Sequence, residues 1–213
     1  MKFKPNMPIL VLTLLLLSIC GCLGLGVFTH YFNRDLYRAT KEVSANWIPS
    51  INILSDMRAD IHRIRRTEAN SIFSTDFCPA PSCAAAIAKQ RQKLSEDEKK
   101  YLPLVGPPEE RLLYDSYLLQ KAIYYNQLDD MFQRGGGDPQ AIQKFLGESA
   151  QQFEATAELL DRLIAFNSQQ GEASQAAVQK YYQDSQNYLF ISNVILGITA
   201  GLLVLRLLIL FVS

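Results

Sequence analysis

Residues 7–28 read MPILVLTLLLLSICGCLGLGVF and residues 189–205 read LFISNVILGITAGLLVL, with 207–212, LLILFV, beyond a single Arg206. Neither run carries a charge, and each approaches the roughly 20 residues that a helix needs to cross a hydrocarbon core of about 30 Å. Two spans at the ends of a chain leave everything between them on one side of a membrane and both termini on the other. The expected organisation is a cytoplasmic N-terminus over 1–6, a transmembrane helix over 7–29, a soluble segment over 30–187 and a second transmembrane helix over 188–213.

Basic residues set the orientation. Lys2 and Lys4 precede the first run with no acidic residue beside them, so the positive-inside rule places the N-terminus in the cytoplasm and the middle segment outside it. Arg206 then falls near the cytoplasmic end of the second run, where its side chain can snorkel to the headgroups. A cleaved signal peptide is the rival for the N-terminus. The run is longer than the 7–15 residues usual there, and no A-x-A-like site follows it. Ile19-Cys20-Gly21-Cys22 also loosely resembles a lipidation site, but apolar sequence continues past it to Phe28.

The chain has 213 residues, with 21 basic and 21 acidic side chains giving a formal net charge of zero. About 160 residues between the spans suit one domain. The charges are mixed along the middle, without the basic excess of a nucleic-acid partner. Only His30 and His62 are present, and no nucleophile elbow, phosphate loop or metal-ligand spacing occurs, so neither catalysis nor a cofactor is expected. Cys78 and Cys83 frame Cys-Pro-Ala-Pro-Ser-Cys. In an oxidising compartment they would close a short disulfide loop contributing about 2 kcal/mol, whereas two thiols without a nearby histidine are too few for a metal.

Helical periodicity fills the middle. Leu36, Val43, Trp47, Ile51, Leu54, Met57, Ile61, Ile64 and Ile72 recur in steps of three and four or their sums. Pro49 predicts a local irregularity, and the proline pair 79 and 81 predicts a stop near Thr75. A second helix is expected from about Ala84 to Tyr101 with Ile87, Leu94 and Tyr101 inward. The third starts near Pro108, its buried face marked by Leu112, Leu119, Ile123 and Met131, and ends at Gly135-Gly136-Gly137. Asp138-Pro139 is an N-cap followed by proline at the first helical position. From there Ile142, Phe145, Ser149, Phe153, Thr156, Leu160, Leu163, Asn167, Gly171 and Ser174 keep the rhythm into the second span. Long, short, short, long predicts an all-α fold: a membrane-anchored antiparallel four-helix bundle with two transmembrane helices.

With that pattern, Asn46-Trp47-Ile48-Pro49-Ser50-Ile51, Arg63-Ile64-Arg65-Arg66-Thr67-Glu68 and Pro108-Glu109-Glu110-Arg111 give the chain its likeness to a family. It resembles the four-helix-bundle sensor domain of bacterial methyl-accepting chemotaxis receptors. The resemblance implies a multi-pass protein of the bacterial inner membrane with a periplasmic domain, dimeric through its first helix, that binds a small solute and signals by helix displacement. It also implies a distal ligand site, often between subunits, where arginines hold a carboxylate. Receptors of this family continue past the second span into a linker and a signalling coiled coil. This sequence stops at Ser213, so a sensor without its own output, or one pairing with a full-length receptor, is expected.

The basic cluster on the upper first helix supplies candidate ligand-binding residues. Spacing puts Arg58, His62 and Arg65 near one face and Arg63 and Arg66 near another. Ser149 and Gln152 lie at matching height on the fourth helix. Guanidinium–carboxylate pairing suits an anionic solute, and the tyrosines at 114, 117, 124 and 125 would suit an aromatic one, though both sets also fit ordinary roles as a solvated face and as core. Glu68 falls on the apolar rhythm and requires a partner, with Arg91 or Arg134 in reach. The alternative of a different class is a membrane-tethered structural or adaptor bundle that binds a protein partner.

Overall fold

The computed structural model describes residues 7–73, 80–132 and 138–212, which are helical almost throughout and contain no strand. Helix α1 spans Met7–Glu42 and α2 spans Ile48–Phe73, joined by a five-residue π-helical turn over Val43–Trp47. Pro49 accounts for that turn. Its missing N–H and its ring displace the carbonyl one turn earlier, and the wider π turn absorbs the misfit. The irregularity expected at Pro49 therefore lies just before it.

Helix α3 runs Ala80–Tyr101, starting about four residues earlier than the sequence predicts. Pro81 does not block it, because the first-turn N–H groups of a helix have no intrahelical acceptor to lose. Helix α4 runs Pro108–Phe132 with Glu109 and Glu110 in its first turn. Helix α5 runs Pro139–Leu146, capped by the Asp138 carboxylate accepting from the Gln140 N–H at 3.1 Å. The fourth helix is not continuous as expected: it breaks at Gly147 and resumes as α6, Glu148–Val212, 65 residues long. Thr75, Cys78, Pro79, Arg134, Gly135, Gly136, Gly137 and the N-terminal lysines lie outside the described residues. Cys83 is buried and disulfide-bonded, while Cys20 and Cys22 are free and exposed.

The chain divides into two compact units. Val43–Glu172 forms the bundle of α2, α3, α4 and the α5–α6 arm, and its core holds Leu54, Met57, Ile61, Ile64, Leu94, Tyr117, Leu128, Leu160 and Leu163. Ion pairs show the antiparallel sense: Lys121 meets Glu98 while Arg91, lower in α3, meets Asp129, higher in α4. The face of α4 differs from the one predicted. Leu112, Leu119 and Ile123 are exposed to 70%, 66% and 39%, and Tyr114, Tyr117, Tyr124 and Leu128 are buried instead. The tyrosines can occupy the core because carboxylates and a carbonyl there take their hydroxyls. Tyr117 donates to Glu98 at 2.7 Å, Tyr124 donates to Glu68, and Tyr114 donates to the Glu98 carbonyl at 3.2 Å. The side chain of Met131 is not described.

The other unit combines residues 1–42 and 173–213. Its two helices are long and apolar enough to cross a membrane, and none of either apolar window is buried within the chain. Phe28 packs on Tyr188 with ring centroids 5.0 Å apart, and Phe32 meets Tyr181 edge-on at 6.0 Å. Aromatic side chains at the ends of apolar windows match the belt that such rings form at headgroup level.

Candidate functional site

Arg65 on α2 reaches the break between α5 and α6. Its Nη1 donates to the Ser149 hydroxyl at 2.8 Å and its Nη2 donates to the Phe145 carbonyl at 2.7 Å. The guanidinium carbon also lies 3.4 Å from the Phe145 ring centroid and 5.4 Å from that of Phe153. The break explains the contact: an interrupted helix leaves last-turn carbonyls without amide partners, and a cation at a helix C-terminus answers both the hydrogen bond and the dipole. Both acceptors are neutral. Among the described residues Arg65 forms no ion pair, so its charge is held in place without being neutralised by direct contact.

One turn further along α2, Glu68 is fully buried. The Tyr124 hydroxyl donates to it, and Arg91 Nη2 lies 3.5 Å from its Oε1. Arg91 is one of the two partners the sequence offered. It also pairs with exposed Asp129 at 2.8 Å and lies 4.1 Å from the Tyr125 ring centroid. Burial raises the Glu68 pKa above its ordinary value of 4.5, and the Tyr124 hydroxyl, Arg91 and Arg65 oppose that rise without cancelling it.

A raised carboxyl pKa means that the folded chain binds this proton more tightly than the unfolded chain. The Glu68 contribution to stability is therefore complete below the unfolded value and lost as pH rises through the folded one. Relative to Glu68→Gln, the wild-type urea midpoint is expected to fall as pH rises from about 4. Parallel curves for the two proteins across that range would refute the shift.

The other predicted residues separate. Ser149 is fully buried and bound to Arg65. The Gln152 side-chain oxygen accepts from the Gln120 amide of α4. His62 is exposed and meets the Phe153 ring edge-on at 5.1 Å. Arg66 is exposed, and no ion pair holds it among the described residues. Arg58 stands about 10 Å down α2 from Arg65 by helical rise and pairs with Asp161 on α6 at 2.7 Å, each side chain about half exposed. Arg58 is thus outside the cluster, and Gln152 is turned to α4, while Arg65, His62 and Ser149 share one region through Phe145 and Phe153. The sequence placed Phe145 and Phe153 only in the core. Their contact with Arg65 depends on the break at Gly147, and that glycine was the available signal. No group of three or more metal-ligating side chains occurs among the described residues.

Residues 7–182 match the profile of a family described as a four helix bundle sensory module for signal transduction. The chain belongs to that family. No curated protein and no solved structure matches it significantly. Sensory modules of this kind belong to signal transduction rather than to catalysis, which fits a site built from hydrogen bonds and stacked rings.

Proposed function

We propose that the chain is a transmembrane sensor of the chemoreceptor type that binds a small anionic solute on its extracytoplasmic side. Arg65 is the principal contact, with Arg66 and His62 at the rim and Ser149 and Gln152 contributing polar groups. One observation carries the reading: the helix that holds Ser149 against Arg65 continues without a break to Val212, through the second apolar window. A solute that draws Arg65 away from Ser149 and the Phe145 carbonyl acts on the first turn of that helix. Helix displacement then carries the change to the membrane. The inner bacterial membrane is the setting, with the bundle periplasmic and pairing through the first helix, either with a second copy or with a full-length receptor.

A second reading is a membrane-tethered bundle that binds a protein partner, and the outward Leu112, Leu119 and Ile123 of α4 favour it. Thermal unfolding of the full chain in lipid nanodiscs against organic acids, amino acids and aromatic acids separates the two. The sensor reading expects a rise in melting temperature for particular anions that is lost in Arg65→Ala and weakened in Arg66→Ala. Absence of any shift across the series counts against it and in favour of the protein-binding bundle.

A further inference from the structure

Five carboxylates are buried in the described residues: Asp60, Glu68, Asp97, Glu98 and Glu110. Four of them have a basic side chain at hand. Lys93 lies 2.5 Å from Asp60, Arg91 3.5 Å from Glu68, Lys100 2.6 Å from Asp97 and Lys121 2.5 Å from Glu98. Glu110 is the exception. It is fully buried, and its partners among the described residues are neutral donors: the Tyr101 hydroxyl at 2.6 Å, the Asn167 amide at 2.8 Å and the Gly106 N–H at 2.8 Å. Its place in the first turn of α4 offsets part of a negative charge through the helix dipole, which amounts to about half a charge. No basic side chain completes the counter-charge among the described residues.

Two further buried side chains carry an oxygen without a partner. Asn167 is fully buried. Its Nδ2 donates to Glu110, to Tyr101 and to the Leu163 carbonyl, and its Oδ1 accepts nothing. Ser50 is fully buried, and its Oγ is likewise without a partner. The two belong to one layer. A Cβ on Gly171 would lie 3.4 Å from the Trp47 Cβ, so α2 and α6 are in close contact there. Ser50 is one turn along α2 from Trp47, and Asn167 is one turn along the antiparallel α6 from Gly171. Ser50, Tyr101, Glu110 and Asn167 thus give this layer of the bundle one buried polar residue from each of four helices. Three hydrogen bonds tie Asn167 into this layer.

We propose that this layer binds a monovalent alkali cation, held by the Glu110 carboxylate, the Asn167 Oδ1 and the Ser50 Oγ. A hard cation takes oxygen ligands of these types. It supplies the counter-charge that Glu110 alone lacks and partners for both orphaned oxygens. One carboxylate balances one positive charge, whereas a divalent ion would leave a buried excess, so the charge count selects a monovalent ion. The site is separate from the Arg65 region and does not rest on the sensor reading.

The test is thermal unfolding of the full chain in nanodiscs of zwitterionic lipid at fixed ionic strength and pH 8, with sodium or potassium chloride exchanged for choline chloride. Choline is too large to enter the layer. The expected result is a saturating rise in melting temperature of about 3 °C or more with sodium or potassium over choline. Glu110→Gln removes the rise, and Ser50→Ala shifts its midpoint to higher salt. The wild-type comparison needs no variant, so it stands even where a substitution impairs folding. Equal melting temperatures in the three salts would overturn the proposal. So would an alkali effect unchanged in Glu110→Gln, or a salt-independent melting temperature that rises with acid in the wild type and not in Glu110→Gln, which makes a proton the counter-charge.

Discussion

Arg91→Leu is expected to cost about 3 kcal/mol of stability, and adding Glu68→Gln is expected to restore much of it. Removing one partner from a buried ion pair leaves the other charge in a low dielectric, at roughly 3–5 kcal/mol. Glu68 is fully buried and would keep the Tyr124 hydroxyl, with Arg65 as the remaining cation nearby, which places the loss at the lower end. Asp129, the other partner of Arg91, is 58% exposed at its side chain, so freeing it costs little. The double variant removes the stranded charge, and the amide oxygen that replaces the carboxylate still accepts from the buried Tyr124 hydroxyl. Urea unfolding followed by circular dichroism reads both values. A double variant as unstable as Arg91→Leu alone would mean that Arg91 acts through its stacking on Tyr125 and not through Glu68.

That pair also marks how far the sequence could be read. Glu68 on the apolar rhythm required a basic partner, and Arg91 was one of two within reach. The bundle, the inward residues of α2 and α3, and the run from Phe145 to Asn167 follow from local periodicity, because each helix has one face that must leave water. Helix α4 failed for a physical reason. It carries leucines on one face and tyrosines on another, and aliphatic hydrophobicity favours the first. The tyrosines are buried because Glu68 and Glu98, on other helices, accept their hydroxyls, and a pairing of that range leaves no local mark in one sequence. The π turn was anticipated from Pro49 as an irregularity, but its type and its place just before the proline were not.

Loss of Arg65 is the second large effect expected, and it bears on function. Arg65→Ala removes two charge-assisted hydrogen bonds, leaves the buried Ser149 hydroxyl and the Phe145 carbonyl without their donor, and strips a flat cation from the Phe145 ring. Hydrogen bonds to charged groups contribute about 1.5–3 kcal/mol each, and losses that share one side chain add less than fully, so about 3 kcal/mol is expected. Arg65→Lys should recover only part, since an ammonium cannot present the planar fork that reaches both acceptors. Ser149→Ala should cost about 1 kcal/mol, because Arg65 keeps the carbonyl and its ring contact. The pair of variants separates a staple from a sensor. If Arg65 only secures the break at Gly147, the two proteins differ in stability and neither changes any solute effect. If Arg65 meets an anion, Ser149→Ala frees one N–H for it, so the thermal shift at a given solute concentration should be kept or enlarged there and absent in Arg65→Ala. A shift diminished equally by both variants would assign the hydroxyl, and not the guanidinium, to the solute.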